Sequence, residues 1–550
     1  MHKPHDGTVD AVVIGAGFGG LYALYKLREI GLSVRGFEAA ADIGGTWYFN
    51  RYPGARCDVE SLDYSYSFSR ELADEWRWSE RFATQPEILR YINHVADRFD
   101  LRRHITLATR VTGAAFDEDT TLWTVTTGSG ERVRCRFVIA AAGSLSLPKP
   151  PDFEGLDEFR GRWVQTGAWP HDGVELAGKR VAVIGTGSSG MQAIPIIAAG
   201  AAHLTVFQRT ANFSAPAMNG PVDPAHEAAV RADFQGYRRA LMETAGGARH
   251  PLMTGLPALQ VSEAERAAKY EEAWNFAAFA LQTVFSDLMV DEAANETAAE
   301  FVRAKIRTAV KDPAVAERLT PRGYPFGAKR LVFETGYHET FNRPDVDLVD
   351  LRETPIERIT PTGIRTSEAD HPVDLIVFAT GFDAMTGPLL AMDLRGTGGL
   401  TLEQAWADGP LTFLGLMVAG FPNLFTINGP GSPSVLTNMV AAIEQHVDWI
   451  ADCIEHMRAN GLRRVEAGAE AQLAWAEEVR RMADYTLFPR ANSWYMGANV
   501  PGKPSVFLAY VAGLGTYAKR CEEIARAGYE GCGFERGELG VKPSLTSSPR

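Results

Sequence analysis

Two stretches of the chain repeat one arrangement of apolar and polar positions. Each begins with an uninterrupted apolar run, Ala11-Val-Val-Ile14 or Val181-Ala-Val-Ile184, the pattern of a strand buried on both faces. A glycine turn follows, Gly15-Ala-Gly17-Phe-Gly-Gly20 in the first and Gly185-Thr186-Gly187-Ser188-Ser189-Gly190 in the second, and each turn opens a segment that reads as a helix. Strand, tight turn and helix N-terminus bring backbone N–H groups and the positive end of a helix dipole to one point, where they hold a pyrophosphate. One such turn is a weak signal. Two with matching flanks point to an enzyme that holds two dinucleotides, most simply a flavin and a nicotinamide.

In each unit the second strand ends near the adenosine ribose, roughly 20 residues past the glycines. In the first it is Leu32-Ser-Val-Arg-Gly-Phe-Glu38, ending in a carboxylate that accepts hydrogen bonds from both ribose hydroxyls, which suits FAD. In the second it is Leu204-Thr-Val-Phe-Gln-Arg209-Thr210, with a cation where the acid stood. A guanidinium pairs bidentately with a phosphate dianion, so the second site favours NADP over NAD.

Apolar patterning along the rest of the chain divides it further. Residues 1–150 read as the first part of an FAD-binding domain, closing on the strand Arg136-Phe-Val-Ile-Ala-Ala-Ala-Gly143 and a linker marked by Pro148, Pro150 and Pro151. Residues 151–215 read as the first part of an NADP-binding domain. Residues 216–325 turn Ala- and Glu-rich with helical spacing, and Ser262-Glu-Ala-Glu265 forms a capping box, so a helical insertion is expected there. Strands resume at Val346 and Asp374, giving a second part of the NADP-binding domain over 326–388. Residues 389–550 return to the FAD-binding domain, with a long helix expected from Val440 to Met457. The fold class is α/β: two Rossmann-like dinucleotide-binding domains, the second carrying the insertion.

Composition narrows the function classes. A net charge of −13 argues against nucleic acid and anionic membrane as partners. Cys57, Cys135, Cys453, Cys521 and Cys532 are scattered, with no paired framework and no CxxC, which disfavours a disulfide reductase and a zinc site. The 12 histidines show no metal-ligand spacing, and no metal is expected. The N-terminal residues lack an apolar signal core, and no membrane span is read, so a cytoplasmic enzyme is expected. Oligomeric state stays open, a monomer being compatible with everything read.

With both nucleotide units placed, two further motifs resemble those of the type I Baeyer–Villiger monooxygenases, in the branch of the phenylacetone, acetone and steroid enzymes. Phe159-Arg-Gly161-Arg-Trp-Val-Gln165-Thr-Gly-Ala-Trp169-Pro170-His171 resembles the family fingerprint FxGxxxHxxxWP. Gly44-Gly45-Thr46-Trp47-Tyr-Phe-Asn-Arg-Tyr52-Pro53-Gly54-Ala-Arg-Cys-Asp58 resembles the signature GGxWxxxxYPGxxxD. The resemblance extends over almost the whole chain. It implies an FAD- and NADPH-dependent enzyme that converts ketones to esters or lactones with O2 through a C4a-peroxyflavin, and oxidises sulfides as a side activity. It further implies that Arg330 stabilises the anions formed in the reaction and that Asp58 pairs with it. Lys329 would join Arg209 and Thr210 at the NADP phosphate. Gly45, Thr46, Trp47 and Gln192 would contact cofactors, Trp494 would lie on a loop closing over NADP and substrate, and Ser434, Val435 and Leu436 would shape the ketone pocket. An N- or S-oxygenating flavin monooxygenase shares the two nucleotide folds but would lack Trp169-Pro170 and the Asp58/Arg330 pair.

The fingerprint histidine is replaced by Gln165, which keeps a donor and an acceptor but carries no proton charge. Two readings follow. Either the position serves geometry, by hydrogen-bonding in an interdomain link and not from a strand end facing the flavin, or it tunes the flavin chemistry and the chain is an uncoupled NADPH oxidase.

Overall fold

The computed structural model describes residues 7–276, 278–498 and 500–537. Residues 1–6, part of the stretch read for a signal segment, and 538–550, assigned to the FAD-binding domain, lie outside the described residues.

The apolar run Val9–Ile14 is central in an eight-stranded sheet. It pairs in parallel with Val34–Phe37 on one side and Arg132–Ala140 on the other, with Ile14 opposite Phe37 and Ala140. The outer edge of Arg132–Ala140 is shared. Its first half pairs antiparallel with Leu122–Thr127, and its second half pairs in parallel with Leu424–Thr426. Through Leu424–Thr426 and the edge strand Asp393–Arg395, the C-terminal third of the chain joins the sheet started by the N-terminal third. Met439–Ala459 is the long helix read at 440–457, and it packs Val440, Ile443 and Val447 into the same core as Leu21 and Leu24 of the helix Phe18–Glu29.

The second sheet has five parallel strands in the order Val346–Asp350, His203–Gln208, Arg180–Ile184, Leu375–Phe378 and Arg162–Gln165. Purely parallel strands must be covered on both faces, which accounts for the continuous apolar runs at 181–184 and 375–378. Between Ser214–Pro216 and Val332–Glu334, which pair in parallel, the chain makes the helices Pro224–Ala232, Phe234–Glu243, Glu263–Phe276, Ala278–Thr283, Glu292–Ala309 and Pro313–Leu319. The capping box is present: Glu265 N–H donates to Ser262 Oγ at 3.3 Å, and Ser262 N–H to Glu265 Oε2 at 3.0 Å. Asn295 is 3% exposed, its amide bonded to Leu288 O, Phe326 O and Phe326 N. It ties the helix Glu292–Ala309 to the segment that carries Lys329 and Arg330.

The long helix is also fastened to the loop after Asp63 by one carboxylate. Glu444 accepts from Ser67 N at 2.7 Å, Ser67 Oγ at 2.8 Å and Phe68 N at 3.2 Å. Burial pushes its pKa up to about 7, although the Arg238 charge and the Ser67 bonds act the other way. Below about pH 4.5 the group is protonated in folded and unfolded chains alike; between 4.5 and 7 the unfolded chain releases the proton first, so stability falls across that window. Glu444→Gln keeps the acceptor and removes the titration. Its unfolding free energy relative to wild type is expected to rise from pH 4.5 to 7 and to level off above, measured by urea denaturation at stepped pH.

Candidate active site

Each glycine turn is sterically committed. At Gly15, φ +101°, a Cβ would lie 2.5 Å from Ala141 O, and at Gly20 it would lie 1.8 Å from Gly15 O. The second turn repeats this: 2.5 Å from Ala379 O at Gly185 and 2.2 Å from Gly185 O at Gly190, while Gly187 has nothing within 4 Å. Both helices, Phe18–Glu29 and Ser188–Gly200, start at a glycine N-cap with no side-chain cap on their first-turn N–H groups. Uncapped N-termini behind a bare glycine surface fit two pyrophosphates.

The two strand ends differ in burial as well as in charge. Glu38 is 5% exposed and accepts from Ala16 N at 2.7 Å and Ala40 N at 2.8 Å, which leaves a lone pair on each oxygen for a ribose hydroxyl. Gly45, φ +54°, packs against Gly17 and starts the short helix Thr46–Phe49; Trp47 within it is buried and donates to Tyr64 Oη at 3.2 Å. In the second unit Arg209 is exposed just past the strand, and the Thr210 carbonyl accepts from Thr186 Oγ1 at 3.1 Å. Lys329 stands 4.5 Å from the Tyr324 ring centre, its pKa lowered by burial and then by Arg209. Burial and Arg209 also lower Lys149, against an opposing pull from Asp383. Three cations therefore share one corner. Sequence reasoning passed over Lys149 because its proline neighbours mark it only as linker.

Gln192, expected at a cofactor, also bridges the two units. Its side chain accepts from Tyr52 Oη at 2.8 Å and donates to Arg56 O at 3.2 Å, and a Cβ on Gly54 would come within 2.4 Å of its carbonyl. The Tyr-Pro-Gly segment is thus the seat on which the second nucleotide helix rests.

Gln165 was expected in an interdomain link and not on a strand end facing the flavin. It closes Arg162–Gln165, the edge strand of the second sheet, in register with Phe378. The strand is four residues long and its first two are exposed, so no alternation reveals it. Gln165 Nε2 donates to Lys149 O at 2.7 Å. Gly161 is required because a Cβ there would sit 2.5 Å from both Asp374 O and the Phe159 ring. Trp169 is buried beside Tyr52 in the second core, Pro170 follows it, and the His171 ring lies 4.7 Å from Tyr48. The motif packs the second sheet against the Gly-Gly-Thr-Trp segment of the first.

Asp58 and Arg330, 272 positions apart, form a bidentate pair: Nε to Oδ2 at 2.7 Å and Nη2 to Oδ1 at 2.8 Å. Arg330 Nη1 donates to Val435 O at 2.7 Å, and the guanidinium carbon lies 5.3 Å from the Phe279 ring centre. Burial alone would depress the arginine; the Asp58 charge and hydrogen bonds, with Tyr495, outweigh it and raise its pKa, so the cation is permanent. Ser434–Leu436 is a short 3-10 turn before the long helix. Ser434 is buried at φ +42°, and its Oγ reaches Met385 Sδ (φ +65° at Met385) and Asn428 O (φ +56° at Asn428). Trp494 is half-buried, its ring 4.3 Å from that of Tyr495. Asp58, Arg330, Val435, Tyr495 and Trp494 come together; Tyr495 and the Val435 carbonyl had no local signal.

A model of the flavin-binding monooxygenase-like family matches residues 9–214. A Baeyer–Villiger monooxygenase of Pseudooceanicola batsensis is 46% identical over 526 residues, covering 94% of this chain and 95% of its own. The structure of an oxidized steroid monooxygenase bound to NADP superimposes with a TM-score of 0.92 at 53% identity, covering 96% of this chain and 100% of the other. The OTEMO enzyme, solved in complex with FAD and NADP, gives a TM-score of 0.92 at 42% identity, with 96% and 100% covered.

Arg209→Ala is expected to raise the KM for NADPH about 10- to 100-fold with kcat little changed, because a phosphate contact binds ground and transition states alike. Steady-state kinetics with NADPH and NADH check this; NADH should not change.

Proposed function

The chain belongs to the Baeyer–Villiger monooxygenases, and from that membership we propose how its own site works and on what. The substrate is a ketone, converted to an ester or lactone with O2 and NADPH, and sulfides are oxidised as a side activity. The observation that carries this reading is the Asp58–Arg330 pair, set beside two glycine cradles and an apolar wall of Met385, Val435, Phe488 and Leu508. A neutral ketone fits a wall with one fixed cation.

When bound, FAD and NADPH supply the hydride and the activation of O2. Gly15, Gly17, Gly20, Glu38, Gly45, Thr46 and Trp47 hold the flavin nucleotide. Gly185, Thr186, Gly187, Ser188, Ser189, Gly190, Arg209, Thr210 and Lys329 hold NADP, and Trp494 covers it. Arg330 offers a positive charge that never titrates to the oxygen on which negative charge develops, and preorganised charge in a water-poor site is the largest catalytic lever available to side chains. Asp58 aims the guanidinium and keeps its Nε and Nη2 edge occupied, so charge is presented from the remaining N–H groups. Ser434, Val435 and Leu436 bound the ketone.

We assign 1–150 and 389–550 to the FAD-binding domain, and 151–215 and 326–388 to the NADP-binding domain with 216–325 inserted; strand pairing supports this division. Among the described residues no helix is long and apolar enough to cross a membrane. The five cysteines, all free, fit the reducing conditions of a cytoplasmic place.

The test is product analysis with NADPH, isotopically labelled O2 and a panel of aryl, cyclic and steroid ketones, following ester and hydrogen peroxide together. Labelled ester with little peroxide is expected; peroxide alone across the panel would overturn the reading. Arg330→Ala should lower ester formation about 100- to 1,000-fold with NADPH binding retained. Asp58→Asn keeps the shape but not the charge and should fall between the two.

A further inference from the structure

The segment that begins at Trp494 runs out and back, and its two limbs lie side by side. Leu508 N donates to Tyr495 O at 2.9 Å, and a Cβ on Gly497, φ +68°, would come 3.2 Å from Pro504 O. Leu508 O accepts from Gly431 N at 2.9 Å, which fixes the base of the segment beside the Ser434 turn. Backbone bonds hold the far end less firmly: Val500 N to Gly497 O and Lys503 N to Val500 O are both 3.4 Å, long for an amide.

A side chain makes the firmer tie. The Lys503 ammonium pairs with the Asp383 carboxylate and donates to Thr386 Oγ1 at 2.8 Å. The two charged side chains are 20% and 22% exposed, so water screens the pair only in part. Asp383 and Thr386 lie on the stretch that leaves the strand Leu375–Phe378 of the second sheet. That stretch begins against the second glycine turn, where Ala379 O is 2.5 Å from the Cβ position of Gly185. It is braced by Asp383 N to Leu147 O at 2.9 Å and Met385 N to Ser144 O at 2.7 Å. Lys503 comes from the part of the chain assigned to the FAD-binding domain, and both its partners come from the NADP-binding domain. The contact therefore crosses between them.

We propose that Lys503 is a positioning residue for Trp494: its ion pair with Asp383 and its hydrogen bond to Thr386 latch the segment onto the NADP-binding domain, so the indole is seated over the nucleotide only while the two domains hold this relative placement. The proposal rests on the reading that Trp494 covers NADP. Asp383 neutralises the lysine, so Lys503 acts on the segment and not on the NADP phosphates. A compact charge on a flexible stem suits a latch, since it keeps its carboxylate partner through small displacements.

The test compares Lys503→Met, Asp383→Asn and the double variant with wild type, all as FAD-loaded full-length protein. Thermal unfolding and flavin content check that the fold is intact. Loss of a hydrogen bond to a charged group shifts an equilibrium about tenfold or more. Hydrogen exchange of the amides in 500–508, without NADP, should quicken about tenfold in each single variant and no further in the double, because one pair is broken either way. The dissociation constants of NADP+ and NAD+, from calorimetric titration, should rise by the same factor, about 3- to 10-fold. The peroxide share of the NADPH consumed should grow, with the ketone KM unchanged within about threefold, and Lys503→Arg should restore most of the wild-type behaviour. Unchanged exchange in either single variant would overturn the proposal, as would additive acceleration in the double variant or unchanged nucleotide affinity and coupling. A loss confined to NADP+ would overturn it too, by making Lys503 a phosphate ligand. Trp494→Ala separates the two readings. If it binds NADP+ like wild type, the covering role of Trp494 fails, and the exchange cycle alone decides whether the pair seats the segment.

Discussion

The site depends on one carboxylate–guanidinium bridge. Asp58 comes from the first nucleotide unit and Arg330 from the segment that leads into the strand Val332–Glu334 after the helical insertion, and their two parallel hydrogen bonds of 2.7 and 2.8 Å join those parts of the chain. A planar fork meeting a planar carboxylate fixes angle as well as distance, which a lysine would not do. Leaving either partner buried without the other would strand a charge, so the pair also holds the two units to one relative placement.

The surrounding contacts act in the same sense. Tyr52 and Gln192 bind across the two units, and Gly54 is small because the backbone of the second nucleotide helix lies against it. Trp169 shares the second core with Tyr52, and the His171 ring meets Tyr48 of the first unit. Lys149, Arg209 and Lys329 gather positive charge at one corner, where burial first and then the Arg209 charge lower both lysines. A polyanion placed there would relieve the part of the shift due to Arg209, which fits the phosphate site proposed for this corner.

Local features were legible in the sequence and meetings between distant segments were not. Both glycine turns, Glu38 and Arg209 at their strand ends, the capping box at Ser262 and the long helix after Ser434 follow from patterns a few residues wide. The insertion announces itself by a change of composition. The strand Arg162–Gln165 escaped because an exposed four-residue edge has no alternation to read. Lys149 was hidden among prolines. Gln192 follows the second fingerprint, but its bonds to Tyr52 and Arg56 join distant segments and had no local signal. The Asp58–Arg330 pair was reachable only through the family resemblance, since nothing local couples positions 272 residues apart.

The wall formed by Ser434, Met385 and Asn428 has a consequence for how the enzyme diversifies. Each of these non-glycine residues sits in the left-handed region, at φ +42°, +65° and +56°, and their side chains and carbonyls converge on the Ser434 hydroxyl. Such a conformation costs roughly 1–2 kcal/mol per residue and persists only where neighbours enforce it. The backbone beside Val435 is therefore a stiff mould. On the pocket proposed for Ser434–Leu436, new substrates would be admitted by exchanging the side chains mounted on it, at 435 and 436, while the carbonyl that holds Arg330 stays where it is. Range can drift over evolutionary time with the chemistry left undisturbed.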